Sequence, residues 1–126
     1  MQTSTLIVCV MLVAVCTSAQ AQPITNDHSA NHYLAGCRDF ADKKFGNNPF
    51  LEGECVGILE GLSAMASELD PFYAVLRSCP PDNVTLAKMA AVVVRWFDQR
   101  PESWHEDFRA LALHALHDAW PCPTNK

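Results

Sequence analysis

Three groups of residues have the types and spacing to do chemistry. His114 and His117 stand three residues apart beside Asp118, a spacing that would turn three donors toward one metal ion on a helix face. His105-Glu106-Asp107 has the composition of an acid–base cluster. Cys37, Cys55, Cys79 and Cys122 offer thiolate nucleophiles, zinc ligands or half-cystines. Each group also has a plainer reading. His114 and His117 fit the solvated side of a helix whose other side carries Leu111, Ala115 and Trp120, and His105-Glu106-Asp107 falls in a first helical turn, where carboxylates favour free N–H groups. No serine stands in a Gly-x-Ser-x-Gly setting, and no Cys-x-x-Cys or paired-His spacing accompanies the cysteines. The expectation is a protein that is not an enzyme and holds no metal and no cofactor.

The cysteines are read through the N-terminus. Leu6 to Cys16 is an unbroken apolar run followed by Thr17, Ser18 and Ala19-Gln20-Ala21, the layout of a signal peptide cleaved after Ala21. A spanning helix needs about 20 apolar residues, and this run stops short of that. A lipoprotein reading through Cys16 fits poorly because Val15 stands where a small residue is expected. Residues 1–21 are therefore read as signal peptide, 22–31 as a flexible leader and 32–126 as one domain in the periplasm. Cys9 and Cys16 leave with the signal, so an even set of four cysteines remains in an oxidising compartment, where two disulfides are the default.

Charge narrows the partners. Fourteen acidic against nine basic side chains give a net charge of −5, and the basic residues are scattered, so neither nucleic acid nor an anionic membrane surface is an expected partner. An apolar fraction of 49% with 18% charged residues is enough to furnish a core.

The elements that position these groups are helical. Tyr33, Cys37, Phe40 and Ala41 lie on one face of a first helix ending near Lys44, and Gly46-Asn47-Asn48-Pro49 is a turn. A second helix runs from Phe50 to Ala66 with Leu51, Cys55, Ile58, Leu59, Leu62 and Met65 apolar. Residues 67–83, broken by Pro71, Pro80 and Pro81, read as a connector with one helical turn near Phe72 to Leu76. Thr85 caps a third helix reaching Gln99, with Leu86, Met89, Ala90, Val93, Trp96 and Phe97 on one side. After Pro101, Ser103-Trp104-His105-Glu106 matches a capping box for a fourth helix that Pro121 stops. The class is all-α, a small four-helix bundle-like domain stapled by two disulfides. Gly53, Gly57 and Gly61 recur every four residues, which suggests close packing of the second helix inside the domain; a homodimer seam is the alternative.

Several motifs in order carry a family resemblance. Cys55-Val56-Gly57-Ile58-Leu59-Glu60-Gly61, Cys79-Pro80-Pro81 with Val84-Thr85, Val92-Val93-Val94-Arg95-Trp96-Phe97 before Pro101-Glu102, and Ala115-Leu116-His117-Asp118-Ala119-Trp120-Pro121-Cys122 together resemble the Tai-type immunity family, with a weaker echo from Leu34 to Cys37. Ile58 stands where the family often has Tyr, and Asn83 where it often has Gly. The resemblance implies a small exported α-helical protein that binds and neutralises a peptidoglycan amidase effector of a type VI secretion system by blocking its active site. A small periplasmic stress or acid-response chaperone is the alternative, and it would lose compactness and expose apolar surface at acid pH.

Four cysteines allow three connectivities. Cys37 lies just before the end of the first helix and Cys55 just after the start of the second, so a helical hairpin brings them to similar depth; Cys79 precedes the third helix and Cys122 follows the fourth. The expected pairs are Cys37 with Cys55 and Cys79 with Cys122. The partner surface is expected at the turn from Asp98 to Glu106, where Pro101 limits the backbone and Arg100, Glu102, Trp104 and His105 are presented. Trp104 as a staple against its own helix and Arg100 as a solvated charge are the alternative for that turn.

Overall fold

The computed structural model describes residues 27–69 and 76–123. Among the described residues, four helices carry the fold: α1 (Ala30–Ala41), α2 (Pro49–Glu68), α3 (Leu86–Asp98) and α4 (Phe108–Ala119), with a 3₁₀ turn at Pro101–Ser103. The all-α expectation holds, and both disulfides pair as expected, Cys37 with Cys55 and Cys79 with Cys122. The expected signal peptide, the leader to residue 26 and the helical turn in residues 70–75 lie outside the described residues.

Each helix starts and stops for a local reason. α1 ends in a Schellman arrangement: the Lys43 N–H donates to the Phe40 carbonyl (3.2 Å) and the Lys44 N–H to the Asp39 carbonyl (2.9 Å), with Lys43 left-handed at φ 57°. Asn48 caps α2 by accepting the Leu51 N–H at 3.3 Å, and Pro49 takes the first helical position, where its missing N–H costs nothing. Thr85 Oγ1 accepts the Lys88 N–H at 3.2 Å to open α3, as its sequence suggests.

The start of α4 differs from the capping-box expectation. Asp107, not Ser103, is the N-cap, and its carboxylate accepts the N–H groups of Arg109 (2.9 Å) and Ala110 (3.3 Å). Two local preferences displace the box. Pro101 drives residues 101–103 into a 3₁₀ turn that buries Ser103, and Ser29 bridges Asp107, which holds Asp107 extended. The chain before α1 thereby tethers the start of α4: the Phe108 N–H donates to the His28 carbonyl, the Ala30 N–H to Glu106 and the Asn31 N–H to Trp104. Residues 28–31, at the end of the expected leader, are thus part of the packed structure, and α1 begins at Ala30.

α1 packs on both α2 and α3, and α4 closes the bundle against α3 and α2. Leu34, Cys37, Cys55, Leu59, Val93, Phe97, Phe108 and Leu116 are wholly or almost wholly buried. Phe97 and Phe108 stack with centroids 5.6 Å apart, and Tyr33 tilts onto Phe108 at 5.1 Å. Burial of this kind is worth about 1.5–3 kcal/mol per large apolar side chain, so the shared aromatic cluster is the main link between α1, α3 and α4.

The glycines reverse the sequence expectation. A Cβ at Gly53, Gly57 or Gly61 would meet nothing within 4 Å, so this stripe does not serve close packing inside the domain. Gly36 does: a Cβ there would lie 2.3 Å from the Leu51 backbone carbonyl group. The helix-on-helix approach that needs glycine is on α1, one residue before the Cys37–Cys55 bridge.

Candidate functional site: the end of α3 and its turn

The turn after α3 is built from contacts of the side chains expected to bind. Trp104 is half-buried, its Nε1–H donates to the Phe97 carbonyl at 2.9 Å, and the Arg38 guanidinium of α1 lies 5.4 Å from its ring centre. Arg100 also turns inward, donating from Nη1 to the Trp96 carbonyl (3.2 Å) with its guanidinium 4.1 Å above the Trp96 ring. Such a cation–π contact is worth about 0.5–1 kcal/mol at a half-exposed position and fixes the guanidinium plane. Glu102 and His105 remain exposed. The four expected residues therefore share one turn but divide in role: Arg100 and Trp104 shape it, and Glu102 and His105 face solvent.

Arg38 and Asp98 form an ion pair that ties the last turn of α1 to the last residue of α3. Arg38 carries no sequence signal, and Trp96 reads as part of the apolar side of α3, although Trp96 and Arg100 at i, i+4 are neighbours on any helix surface.

Behind the turn, a groove of about 290 Å³ separates α3 from α4, with Val92, Arg95, Trp96 and Gln99 facing Ala115 and Asp118. The Trp96 Nε1–H donates to the Asp118 carboxylate at 2.9 Å and spans the groove. Asp118 is thus occupied by an indole. His117 is half-buried and its Nδ1 lies 2.6 Å from the Arg77 carbonyl, to which it donates, so it is not on the fully solvated side where the sequence placed it; His114 is exposed. Among the described residues no cluster of His, Cys, Asp or Glu is arranged to hold a metal ion.

The acidic cluster also resolves into structure. The Arg109 guanidinium hydrogen-bonded to Asp107 (2.6 Å) holds that carboxyl down at about 2, with the Ala110 and Arg109 backbone N–H groups acting in the same direction. A carboxylate so committed to capping is not a general base at neutral pH. Elsewhere, burial raises the Tyr33 phenol, and the Ser29 backbone N–H lowers Asp27. No helix among the described residues is long and apolar enough to cross a membrane.

No curated protein and no solved structure matched the chain. The model of the Rap1a immunity proteins matches residues 10–122, spanning all four helices and both disulfides. That span carries the resemblance from a few motifs to nearly the whole sequence: the chain belongs to the Rap1a immunity protein family, the Tai-type family.

Proposed function

We propose that this immunity-family protein is exported to the periplasm, where it binds a peptidoglycan amidase effector delivered by a type VI secretion system and blocks its active site. The observation that carries the reading is the family match over residues 10–122, which implies that the partner is a secreted effector. Three features support the finer reading. The apolar run from Leu6 to Cys16 ahead of Ala19-Gln20-Ala21 suits export, paired cysteines suit an oxidising compartment, and a net charge of −5 suits a protein partner over nucleic acid.

In this reading the turn from Asp98 to Glu106 enters or covers the amidase cleft. Glu102 and His105 make the polar contacts, and the exposed edges of Arg100 and Trp104 make the apolar ones. Because the indole of Trp104 and the guanidinium of Arg100 are already held in place, docking orders few side chains and loses little entropy. Pairing of two copies along the open Gly53–Gly57–Gly61 stripe belongs to the same proposal and is tested by sedimentation of the wild type against Gly57→Leu.

The test is protection. Cells exporting a type VI amidase to the periplasm lyse, and co-expression of the full chain is expected to prevent lysis, whereas a chain lacking residues 1–21 is expected not to. Equal protection by both forms would contradict export, and no protection against any amidase of a broad panel would contradict the amidase reading.

A further inference from the structure

The two disulfides sit in opposite surroundings. Cys37 and Cys55 are each 0% exposed, and their bridge lies in the α1–α2 seam, where Gly36 sits so close to the Leu51 backbone that not even a methyl group fits. Cys79 is exposed and Cys122 half-buried, and their bridge joins the segment before α3 to the segment after α4. Thiol–disulfide exchange requires an incoming thiolate to reach one of the two sulfurs, so access decides which bridge reacts in the folded protein.

The segment around Cys79 is also held without its bridge. The Cys79 N–H donates to the Trp120 carbonyl at 2.8 Å, Ser78 pairs antiparallel with Pro121 and is 2% exposed, and His117 Nδ1 donates to the Arg77 carbonyl at 2.6 Å. These contacts keep positions 79 and 122 side by side when the S–S bond is open. Opening therefore needs no unfolding, and two thiols so placed reclose as an intramolecular pair of high effective concentration. A thiolate reaches Cys37–Cys55 only after α1 and α2 have parted.

We propose that Cys79–Cys122 is a reversible exchange site for a dithiol oxidoreductase, attacked at Cys79, and that Cys37–Cys55 is closed to the same partner. A thiolate of the oxidoreductase forms a bond to Cys79 Sγ as the Cys79–Cys122 bond breaks, and the electron pair leaves on Cys122 Sγ, which takes a proton from water. The second thiol of the oxidoreductase, as thiolate, then attacks its own partner sulfur in the mixed disulfide. Cys79 leaves as a thiolate and is protonated in turn. Two electrons have passed from the dithiol to the bridge, and the oxidoreductase ends as a disulfide; the same steps in reverse reclose the bridge. In the oxidised state the end of α4 is bonded covalently to the segment before α3, and in the reduced state hydrogen bonds alone hold it, while the start of α4 keeps its ties to residues 28–31.

The experiment uses the oxidised full chain with its free thiols, Cys9 and Cys16 included, first blocked by N-ethylmaleimide. Dithiothreitol is added without denaturant, samples are quenched with iodoacetamide at intervals, and each cysteine is followed by peptide mapping with helical circular dichroism in parallel. The expected result is that Cys79 and Cys122 become alkylated at least about tenfold faster than Cys37 and Cys55, with the helical signal retained. Urea below the unfolding transition is expected to leave the Cys79–Cys122 rate within about twofold while accelerating Cys37–Cys55, because only the second route exposes surface before it reacts. Loss of both bridges together, earlier loss of Cys37–Cys55, or equal acceleration of both by urea overturns the proposal.

The attacked sulfur is identified with thioredoxin whose second active-site cysteine is changed to serine, so that the mixed disulfide persists. An adduct mapped to Cys79 supports the site. An adduct at Cys122, at Cys37 or Cys55, or at none of the four overturns it.

Discussion

Gly36→Ala should destabilise the protein, while Gly57→Ala, the same chemical change on the neighbouring helix, should stabilise it. At Gly36 the added methyl would sit 2.3 Å from both the carbonyl carbon and the oxygen of Leu51 and 2.7 Å from the Glu52 nitrogen, whereas ordinary contact begins at 3.4 Å. The obstructing atoms are backbone, so no rotamer change relieves them, and α1 and α2 must part by about 1 Å. The Cys37–Cys55 bridge beside Gly36 resists that shift. Overpacking of this kind costs about 1–3 kcal/mol or more, and weaker dispersion attraction along the rest of the parted α1–α2 seam adds to it. Ala returns up to about 1 kcal/mol of helix propensity. The net expectation is a loss of at least about 2 kcal/mol, which at roughly 4–8 °C per kcal/mol lowers the melting temperature by about 10 °C. At Gly57 the methyl meets nothing, so only the propensity gain of up to about 1 kcal/mol remains. Urea unfolding of the oxidised protein, followed by circular dichroism with the m-value checked, measures both. A Gly36→Ala variant within about 0.5 kcal/mol of wild type, or a Gly57→Ala variant that loses 1 kcal/mol or more, would refute the assignment of the close approach to α1.

The remaining expectations concern the caps and staples. Asp107→Ala should cost about 1 kcal/mol at pH 7 through loss of the α4 cap. Because the folded-state value of Asp107 is depressed to about 2 from 3.8, its contribution is fully present above about pH 4 and disappears as pH falls toward 2, so the wild type and Asp107→Ala unfolding curves should converge at low pH. The disulfides close separations of 18 and 43 residues, so in the chain-entropy model Cys37→Ser/Cys55→Ser should cost about 3 kcal/mol and Cys79→Ser/Cys122→Ser about 4 kcal/mol, read by urea unfolding. Glu52→Ala should leave the helices intact while the Gly46 and Asn48 amides exchange with solvent at least tenfold faster, an acceleration that corresponds to about 1.4 kcal/mol of lost protection, followed by hydrogen exchange.

Helical periodicity, Pro and Gly punctuation and the even cysteine count place α1 to α4 within a few residues and pair the disulfides, because these signals are local or follow from which helix ends meet. What escaped the sequence is non-local. Ser103 and Glu106 satisfy the capping-box pattern, yet Ser29, far away in sequence, holds Asp107 extended and moves the cap four residues on. Gly36 stands singly on α1 and attracts no notice, whereas the regular Gly53–Gly57–Gly61 stripe does; only the three-dimensional packing reveals which is pressed against backbone. In the candidate site, Arg100, Glu102, Trp104 and His105 fall on one turn as their spacing implies. The inward orientation of Arg100 and Trp104 depends on Trp96, Phe97 and Arg38, which reach the turn from the helices around it. The exposure of Phe45 and Phe50 has no sequence signal.

The central claim is that this chain neutralises a cell-wall amidase by occupying its active site. Its most direct test is the release of soluble fragments from peptidoglycan by purified type VI amidases, with the oxidised full chain titrated into each reaction. The account predicts that one amidase is silenced at a one-to-one molar ratio and that raising the peptidoglycan concentration weakens the inhibition, as competition for the cleft requires. Undiminished fragment release from every amidase, with the chain in large molar excess, would contradict it.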